Sequence, residues 1–325
     1  MSLIKPQDKI FVAGHKGMVG SSIVRSLKKN NYKNILTVSK EKLDLRNQTK
    51  VDEWFLYNKP NVVILAAAKV GGIGANSSYP VEFLLDNIKI QSNVIESAWK
   101  HGSHRLLFLG SSCIYPKYAE QPIKEEALLE SALEQTNEWY AIAKITGIKL
   151  CEALRLQYGF DAISLMPTNL YGPGDNYHPE NSHVVPALIR RFHEAKQNNL
   201  GEVVVWGSGT SMREFLFVDD MADASLFLHN LDHVTYFENT QPTLSHINVG
   251  TGSDVTIKQL ARTIQSVVGF EGDLVFDRTK PDGTPRKLLD VKLLSNLGWD
   301  AKIELKTGLT SAYQDYTQNY CLKNY

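Results

Sequence analysis

Residues 9–20 read Lys9-Ile10-Phe11-Val12-Ala13-Gly14-His15-Lys16-Gly17-Met18-Val19-Gly20, an apolar strand that runs into a turn with three glycines. The stretch Met18–Asn30 follows at once and has the pattern of an amphipathic helix. Glycines permit positive φ angles and a close approach of the backbone, while the first amides of a helix attract anions. The turn, spaced Gly-x-x-Gly-x-x-Gly, therefore predicts a site for the pyrophosphate of a dinucleotide.

Strands and helices alternate through the first half of the chain. Buried parallel strands are predicted at Lys9–Ala13, Ile35–Val38, Val62–Ala67, Arg105–Leu109 and Asp161–Met166. Helices are predicted between them, at Met18–Asn30, Thr49–Asn58, Val81–His101 and Glu138–Tyr158. This order predicts an α/β fold, a doubly wound parallel (Rossmann) sheet. Two later apolar segments, Phe215–Val218 and Ile247–Val249, are short strands that could rejoin the sheet.

The pattern changes after Tyr171, where Gly172-Pro173-Gly174 breaks the chain. Val184–Gln197 predicts a helix, and the residues from Asp254 onward hold two helical patterns around a Gly/Pro-rich loop, Lys280–Arg286. We expect a second, smaller α/β lobe. The predicted division is 1–172 and 214–252 for the dinucleotide-binding domain, with 173–213 and 253–325 for the second domain, which is expected to bind the other reactant.

The composition narrows the class of protein. Of 325 residues, 43% are hydrophobic, and 35 basic residues balance 35 acidic ones. A neutral chain argues against a general nucleic-acid or anionic-membrane surface, because both need a concentrated positive field. The three cysteines show neither a disulfide framework nor a metal-ligand pattern. The polar first residues and the lack of a long apolar run predict a cytoplasmic location and no membrane span.

Basic residues near the glycine turn bear on the choice of cofactor. An NAD site usually has an acid at the end of the second strand, where it binds the ribose 2′-hydroxyl. This chain offers Lys16 in the turn and Lys40 after the second strand, which suit a 2′-phosphate, although Glu41 adjoins Lys40. The pattern favours NADP(H), and the alternative is that both lysines are simply solvated.

A serine, a tyrosine and a lysine suggest the chemistry. Ser111 follows the fourth strand, and Tyr140 and Lys144 lie one turn apart on one face of a predicted helix. A lysine ammonium near a phenol is expected to lower the pKa of the tyrosine, so that the phenol can exchange the proton that accompanies hydride transfer.

The order of these motifs resembles the extended short-chain dehydrogenase/reductase superfamily. Within it, several segments resemble the GDP-L-fucose synthase family: Ala66–Gly72, Gly110–Pro116, Pro167–Pro173, Asn181–Val184, Val205–Thr210 and Lys280–Lys287. The resemblance implies conversion of GDP-4-keto-6-deoxy-D-mannose to GDP-L-fucose by epimerisation at C3 and C5 and NADPH reduction at C4. It also implies that Cys113 is the base and His183 the acid of epimerisation, roles that suit groups titrating near neutrality.

The resemblance implies binding residues and an assembly as well. Cofactor contacts are expected from Gly14, His15, Lys16, Gly17, Met18, Val19, Gly20, Lys40, Leu109, Gly110, Ser111, Ser112, Lys144, Pro167, Thr168, Asn169, Leu170 and His183. Substrate contacts are expected from Arg191, Trp206, Arg213, Asp282 and Lys287. Arg190 adjoins Arg191 and both cannot point inward, so a solvated Arg191 is the alternative. A homodimer packed through the two long Rossmann helices is expected.

Two other functions stay open at this point. One is an epimerase or 4-reductase acting on another nucleotide sugar. The other is a non-catalytic, cofactor-bound or RNA-binding relative. The retained Tyr140 and Lys144 and the absence of excess positive charge argue against the latter.

Overall fold

The structure is a computed structural model that describes residues 3–280 and 282–321. In chain order the strands are β1 (Ile10–Ala13), β2 (Ile35–Leu36), β3 (Val62–Leu65), β4 (Arg105–Leu109), β5 (Ala162–Pro167), β6 (Asn169–Tyr171), β7 (Glu202–Trp206), β8 (Met212–Phe217), β9 (His246–Val249), β10 (Asp254–Thr256), β11 (Asp273–Asp277) and β12 (Arg286–Lys287). The helices are α1 (Met18–Lys29), α2 (Gln48–Asn58), α3 (Ile73–Ser78), α4 (Pro80–Lys100), α5 (Glu138–Tyr158), α6 (Val184–Gln197), α7 (Val218–Asn230), α8 (His233–Asn239), α9 (Ile257–Val268), α10 (Lys292–Asn296) and α11 (Leu305–Asp315).

A parallel sheet with the order β2-β1-β3-β4-β5-β9 forms the centre of the fold. Its strands are apolar throughout because both faces are covered. In β1, for example, Phe11 packs into the core on the side of α2, α4 and α5, while Val12 packs on the side of α1 and α7. The predicted doubly wound sheet is thus confirmed, with the strand order reversing between β1 and β3.

One predicted strand lies in a different place. Phe215–Val218 does not rejoin the central sheet: residues 215–217 end β8, which pairs with β6, β10 and β12 in a second sheet. Val218 begins α7, a helix that the sequence interpretation missed. Asp219 and Asp220 occupy its first turn, where carboxylates stabilise the positive end of the helix dipole. Ile247–Val249 does rejoin the central sheet, as part of β9.

A third apolar cluster lies apart from the two faces of the central sheet. It joins α6, α9 and α11 with the two parallel strands β7 and β11, and Phe192 and Ile264 are fully buried within it. This part contains the predicted helix Val184–Gln197 as α6, and its α/β composition agrees with the expected smaller lobe. The division at numbered boundaries stays a prediction, and β8 runs across the predicted boundary at 213/214.

No helix among residues 3–280 and 282–321 is long and apolar enough to cross a membrane.

Candidate active site

The glycine turn forms a cradle in which side chains have no room. Gly14 has a φ of +89°, and a Cβ there would lie 2.7 Å from the backbone nitrogen of Ala67. A Cβ at Gly20 would collide with the carbonyl oxygen of Gly14, which also accepts a hydrogen bond of 3.0 Å from the amide of Gly17. No side chain caps the first turn of α1. These bare amides and the open backbone fit a dinucleotide pyrophosphate.

The two lysines proposed for the 2′-phosphate lie on the surface beside the turn. Lys16 Nζ is 3.8 Å from a carboxylate oxygen of Glu41, and the side chains are 69% and 75% exposed. The pKa of Glu41 is lowered chiefly by a hydrogen bond from Ser39 and further by Lys16. Lys40 is exposed. Lys16 therefore lies beside the segment that follows β2, where a 2′-phosphate would compete with Glu41 for its ammonium.

The other predicted cofactor segments follow the carboxyl ends of β4 and β5. Gly110 donates to the carbonyl of Leu165 over 2.8 Å, which joins the two segments just beyond the sheet. Thr168 and Asn169 are held by side-chain hydrogen bonds to the carbonyl of Glu214. Leu109–Ser112 and Pro167–Leu170 thus lie along the same edge of the sheet as the glycine turn, as expected for a ligand at a topological switch point.

Ser111, Tyr140 and Lys144 meet at the end of β4. The Ser111 hydroxyl hydrogen-bonds Tyr140 and also accepts from the Cys113 amide over 3.2 Å. Lys144 is buried, donates to the carbonyl of Leu109 over 2.7 Å, and has its ammonium 5.8 Å from the centre of the Tyr140 ring. The arrangement gives a carbonyl substrate two hydroxyl groups side by side.

The expected lowering of the tyrosine pKa is not found in the chain alone. Burial raises the pKa of Tyr140, the thiol of Cys113 raises it further, and the Ser111 hydrogen bond only partly offsets both. Burial lowers the pKa of Lys144 to about 7. The reason is geometric, since the ammonium bonds the Leu109 carbonyl and not the phenol. Tyr140 is accordingly a neutral phenol at pH 7, which is the form that donates a proton.

Cys113 lies next to a cation from a distant part of the chain. Lys287 Nζ is 3.6 Å from Cys113 Sγ, so a cation faces the thiol. Lys287 is paired in register with Arg213 between β12 and β8. Burial lowers the pKa of the Arg213 guanidinium, whose Nη1 donates to the carbonyl of Met212 over 2.7 Å. The candidate base Cys113 and the two cations predicted to bind substrate, Lys287 and Arg213, therefore lie next to one another.

His183 reaches this edge of the sheet through a loop contact. It is the N-cap residue of α6 and makes no side-chain capping bond. The preceding loop touches the segment after β3, where Gly72 donates to the carbonyl of Asn181 and a Cβ on Gly72 would lie 3.0 Å from the carbonyl of Ser182. The ring is reached by solvent yet crowded by protein atoms, and this desolvation lowers the pKa of His183. No direct contact joins it to Cys113 among the contacts of the described residues.

Arg190 and Arg191 point in different directions. Arg190 forms an ion pair of 2.8 Å with Glu194 on α6. The Arg191 guanidinium lies 4.9 Å from the centre of the Trp206 ring and donates to the carbonyl of Val204. Arg191 and Trp206, which is 60% exposed, thus form one surface open to a ligand.

Asp282 holds the loop that follows Trp206. Its carboxylate accepts from the Ser208 amide over 2.7 Å, its carbonyl accepts from the Ser211 hydroxyl, and a Cβ on Gly207 would collide with it. Asp282, which was predicted to bind substrate, thus holds the loop after Trp206 in place.

Sequence reasoning missed the residues that hold the site together. Glu214 is fully buried and accepts hydrogen bonds from the amides of Thr251, Gly252 and Leu289. Gln121 accepts from the Leu288 amide. The one signal in the sequence is an acid directly before the apolar run Phe215–Val218, because an ionisable group that is buried with such a strand needs partners.

The chain matches both a family profile and full-length relatives in other organisms. The profile of the NAD dependent epimerase/dehydratase family matches residues 10–250. The chain is 59% identical over 321 residues to a putative GDP-L-fucose synthase 2 of Arabidopsis thaliana, covering 99% of this chain and 95% of that protein. It is 56% identical to the GDP-L-fucose synthase of Escherichia coli K12, covering 96% and 98%.

Solved structures agree with the sequence matches. A GDP-6-OMe-4-keto-L-xylo-heptose reductase from C. jejuni superposes with a TM-score of 0.91 at 36% identity, covering 97% of this chain and 99% of that one. A GDP-L-fucose synthetase from Naegleria fowleri bound to NADP superposes with a TM-score of 0.87 at 28% identity, covering 98% and 97%. The chain therefore belongs to the NAD dependent epimerase/dehydratase family and, within it, to the GDP-L-fucose synthases.

Proposed function

We propose that the protein converts GDP-4-keto-6-deoxy-D-mannose to GDP-L-fucose by epimerising C3 and C5 and then reducing C4, with NADP(H) as cofactor. The observation that carries the proposal is the meeting of a hydroxyl pair, Ser111 and Tyr140, with a thiol, Cys113, that faces Lys287. A reductase alone needs only the hydroxyls and the lysine of α5. The thiol adds a base beside the carbonyl, which is what epimerisation requires.

Epimerisation uses the acidity of the hydrogens next to the 4-keto group. Cys113, next to Lys287, acts as the base and takes the proton from C3 or C5, and the negative charge moves to O4. Hydrogen bonds from Ser111 and Tyr140 stabilise that charge. His183, assigned as the acid, returns a proton to the opposite face of the ring. Before the second cycle Cys113 gives its proton to solvent and His183 takes one up, so two cycles invert both centres and the sugar neither gains nor loses protons.

Reduction uses the same two hydroxyls. A dinucleotide held by the glycine turn would supply the hydride for C4 when bound, and the neutral phenol of Tyr140 gives its proton to O4. Lys144 holds the Leu109 carbonyl at the strand end and lies close to the phenol. Each turnover therefore consumes one NADPH and one proton.

Binding roles follow from the positions of the cations. The glycine turn and the segments Leu109–Ser112 and Pro167–Leu170 are assigned to the dinucleotide, with Lys16 and Lys40 at its 2′-phosphate. Arg191 and Arg213 are assigned to the diphosphate of the sugar nucleotide, since one guanidinium group can donate two parallel hydrogen bonds to the oxygens of a phosphate. Trp206 offers a flat surface to the same ligand. The central sheet would be the cofactor domain and the third apolar cluster the substrate domain.

A homodimer and a reducing compartment belong to the same proposal. Leu85 of α4 and Leu156 of α5 are 45% and 57% exposed, and Trp139 and Tyr158 on α5 are also exposed, which supports burial of these two helices against a second copy. Cys113 must remain a free thiol to act as a base, which favours the cytoplasm.

The test is a product assay with the purified protein. GDP-4-keto-6-deoxy-D-mannose and NADPH should give GDP-L-fucose with one NADPH oxidised per sugar, and a parallel reaction with NADH should be slower. NADPH oxidation with another 4-keto nucleotide sugar, and none with this substrate, would favour the alternative of a reductase or epimerase for a different sugar.

A further inference from the structure

Glu214 is a fully buried carboxylate in the middle of β8, next to Arg213. One oxygen, Oε1, accepts from the amides of Thr251 and Gly252 over 2.6 and 2.8 Å. The other, Oε2, accepts from the amide of Leu289 over 3.1 Å. A Cβ on Gly250 would collide with the carboxylate, so the loop packs directly on it. Three backbone amides from two distant segments thus converge on one side chain.

Lys287 lies two residues before Leu289, in the segment 286–289. Residues 286 and 287 pair with β8, and beyond them the chain loses this pairing. The Leu288 amide donates to Gln121 over 2.9 Å and the Leu289 amide donates to Glu214, so two side chains join the backbone bridge between Ile123 and Leu289 in holding the chain just after Lys287. The Lys287 ammonium in turn lies 3.6 Å from Cys113 Sγ. A small displacement of residues 286–289 would therefore change the distance between the cation and the thiol.

We propose that Glu214 is a positioning residue whose carboxylate fixes residues 286–289 and thereby places Lys287 against Cys113 and beside Arg213. This inference rests on the proposed function, in which Cys113 is the base and the two cations serve the substrate. Glu214 itself is buried within the protein and acts only through its neighbours.

The chemistry explains why a carboxylate occupies this position. Its two oxygens are both acceptors, so it satisfies N–H groups on both sides at once. A glutamine of the same shape has one acceptor oxygen and one amide group. With its oxygen on the Thr251 and Gly252 amides, it presents an N–H to the Leu289 amide, and two donors then face each other. The 286–289 segment then keeps its bonds to Ile123 and Gln121 but loses its bond to residue 214. The rest of the site keeps its bonds, since Thr168 and Asn169 bind the backbone carbonyl of residue 214.

The test is a double-mutant cycle of Glu214→Gln and Lys287→Ala, read as kcat/KM for GDP-4-keto-6-deoxy-D-mannose and as the dissociation constant of NADPH. Glu214→Gln should lower kcat/KM by about tenfold or more and leave NADPH affinity within about twofold. In the Lys287→Ala background the same change should cost less than about twofold, because the group that it positions is gone.

A matched control separates positioning from lost stability. Asp220 is another buried carboxylate, and it accepts the amides of Lys302 and Ile303 over 3.0 and 2.8 Å away from the catalytic residues. Asp220→Asn should lower thermal stability and leave kcat/KM within about twofold of the wild type. If it lowered kcat/KM as much as Glu214→Gln does, the positioning role would be overturned.

The remaining outcomes also decide the question. Equal, additive losses for Glu214→Gln in both backgrounds would overturn the inference, as would an unchanged kcat/KM in the single variant. If Glu214→Gln does not fold, Glu214→Asp takes its place with the same expectations, because the shorter side chain cannot reach Gly252 and Leu289 together. An inactive wild type would instead refute the proposed function, so the two failures are distinguishable.

Discussion

Replacing Lys144 by methionine should stabilise the cofactor-free protein at acidic pH. Lys144 is 3% exposed, and burial lowers its pKa from 10.5 to about 7. Below pH 7 both the folded and the unfolded chain carry the proton, so the full cost of a buried charge is present. Between pH 7 and 10.5 the folded state binds fewer protons than the unfolded state, and stability rises with pH.

The size of the effect follows from the two pKa values. A pKa difference of about 3.5, at 1.36 kcal/mol for each pH unit, gives about 5 kcal/mol at pH 6. Methionine cannot make the hydrogen bond to the Leu109 carbonyl, and its loss lowers the stability by about 1 kcal/mol. The net gain is about 4 kcal/mol at pH 6 and about 1 kcal/mol at pH 9. For a chain of this size each kcal/mol raises Tm by about 2 °C.

The assay is urea and thermal unfolding of both proteins without cofactor at pH 6 and pH 9. Lys306→Met is the control, since Lys306 is exposed on α11, and it should leave stability nearly unchanged at both pH values. A stability difference between Lys144→Met and wild type that does not narrow from pH 6 to pH 9 would exclude the buried Lys144 charge as its cause. So would a variant less stable than wild type at pH 6.

Three further predictions concern the cofactor, the substrate and the assembly. Gly14→Ala should abolish NADPH binding measured by fluorescence titration, because its Cβ would lie 2.7 Å from the Ala67 nitrogen at a φ of +89°. Near-native affinity would show that the glycine turn does not need this close packing to bind the cofactor. Arg191→Ala should raise KM for the sugar nucleotide by about tenfold, whereas Arg190→Ala, which loses only an ion pair on α6, should not. Equal effects of the two changes would exclude a specific role of Arg191 in binding. Leu156→Asp should convert a dimer to a monomer in light scattering with its helix content intact, and an unchanged mass would place the interface elsewhere.

Local patterns predicted the scaffold well. The glycine turn, the apolar strands and the four-residue spacing of Tyr140 and Lys144 are short-range signals, and the structure has the corresponding elements with ends shifted by one or two residues in most cases. Each signal reflects a constraint that acts within one turn of helix or one strand.

The contacts that complete the site are long-range and left no local signal. Lys287 and Cys113 are separated by 174 positions and meet only because β12 pairs with β8. The same pairing explains why Phe215–Val218, which could have rejoined the central sheet, lies in the second sheet: an apolar run does not show which sheet it joins. The pKa of Tyr140 was misjudged for a related reason, as the direction of the Lys144 ammonium depends on a carbonyl 35 positions away.

In the proposed mechanism Cys113 is the base in a pocket that both epimerises and reduces. This role is tested by deuterium incorporation at C3 and C5 of GDP-4-keto-6-deoxy-D-mannose in D₂O, with NADP⁺ present so that no reduction occurs, for wild type and Cys113→Ser. We expect exchange at both carbons in the wild type, loss of that exchange in Cys113→Ser, and equal affinity of the two proteins for NADP⁺. Undiminished exchange in Cys113→Ser would show that Cys113 is not the base.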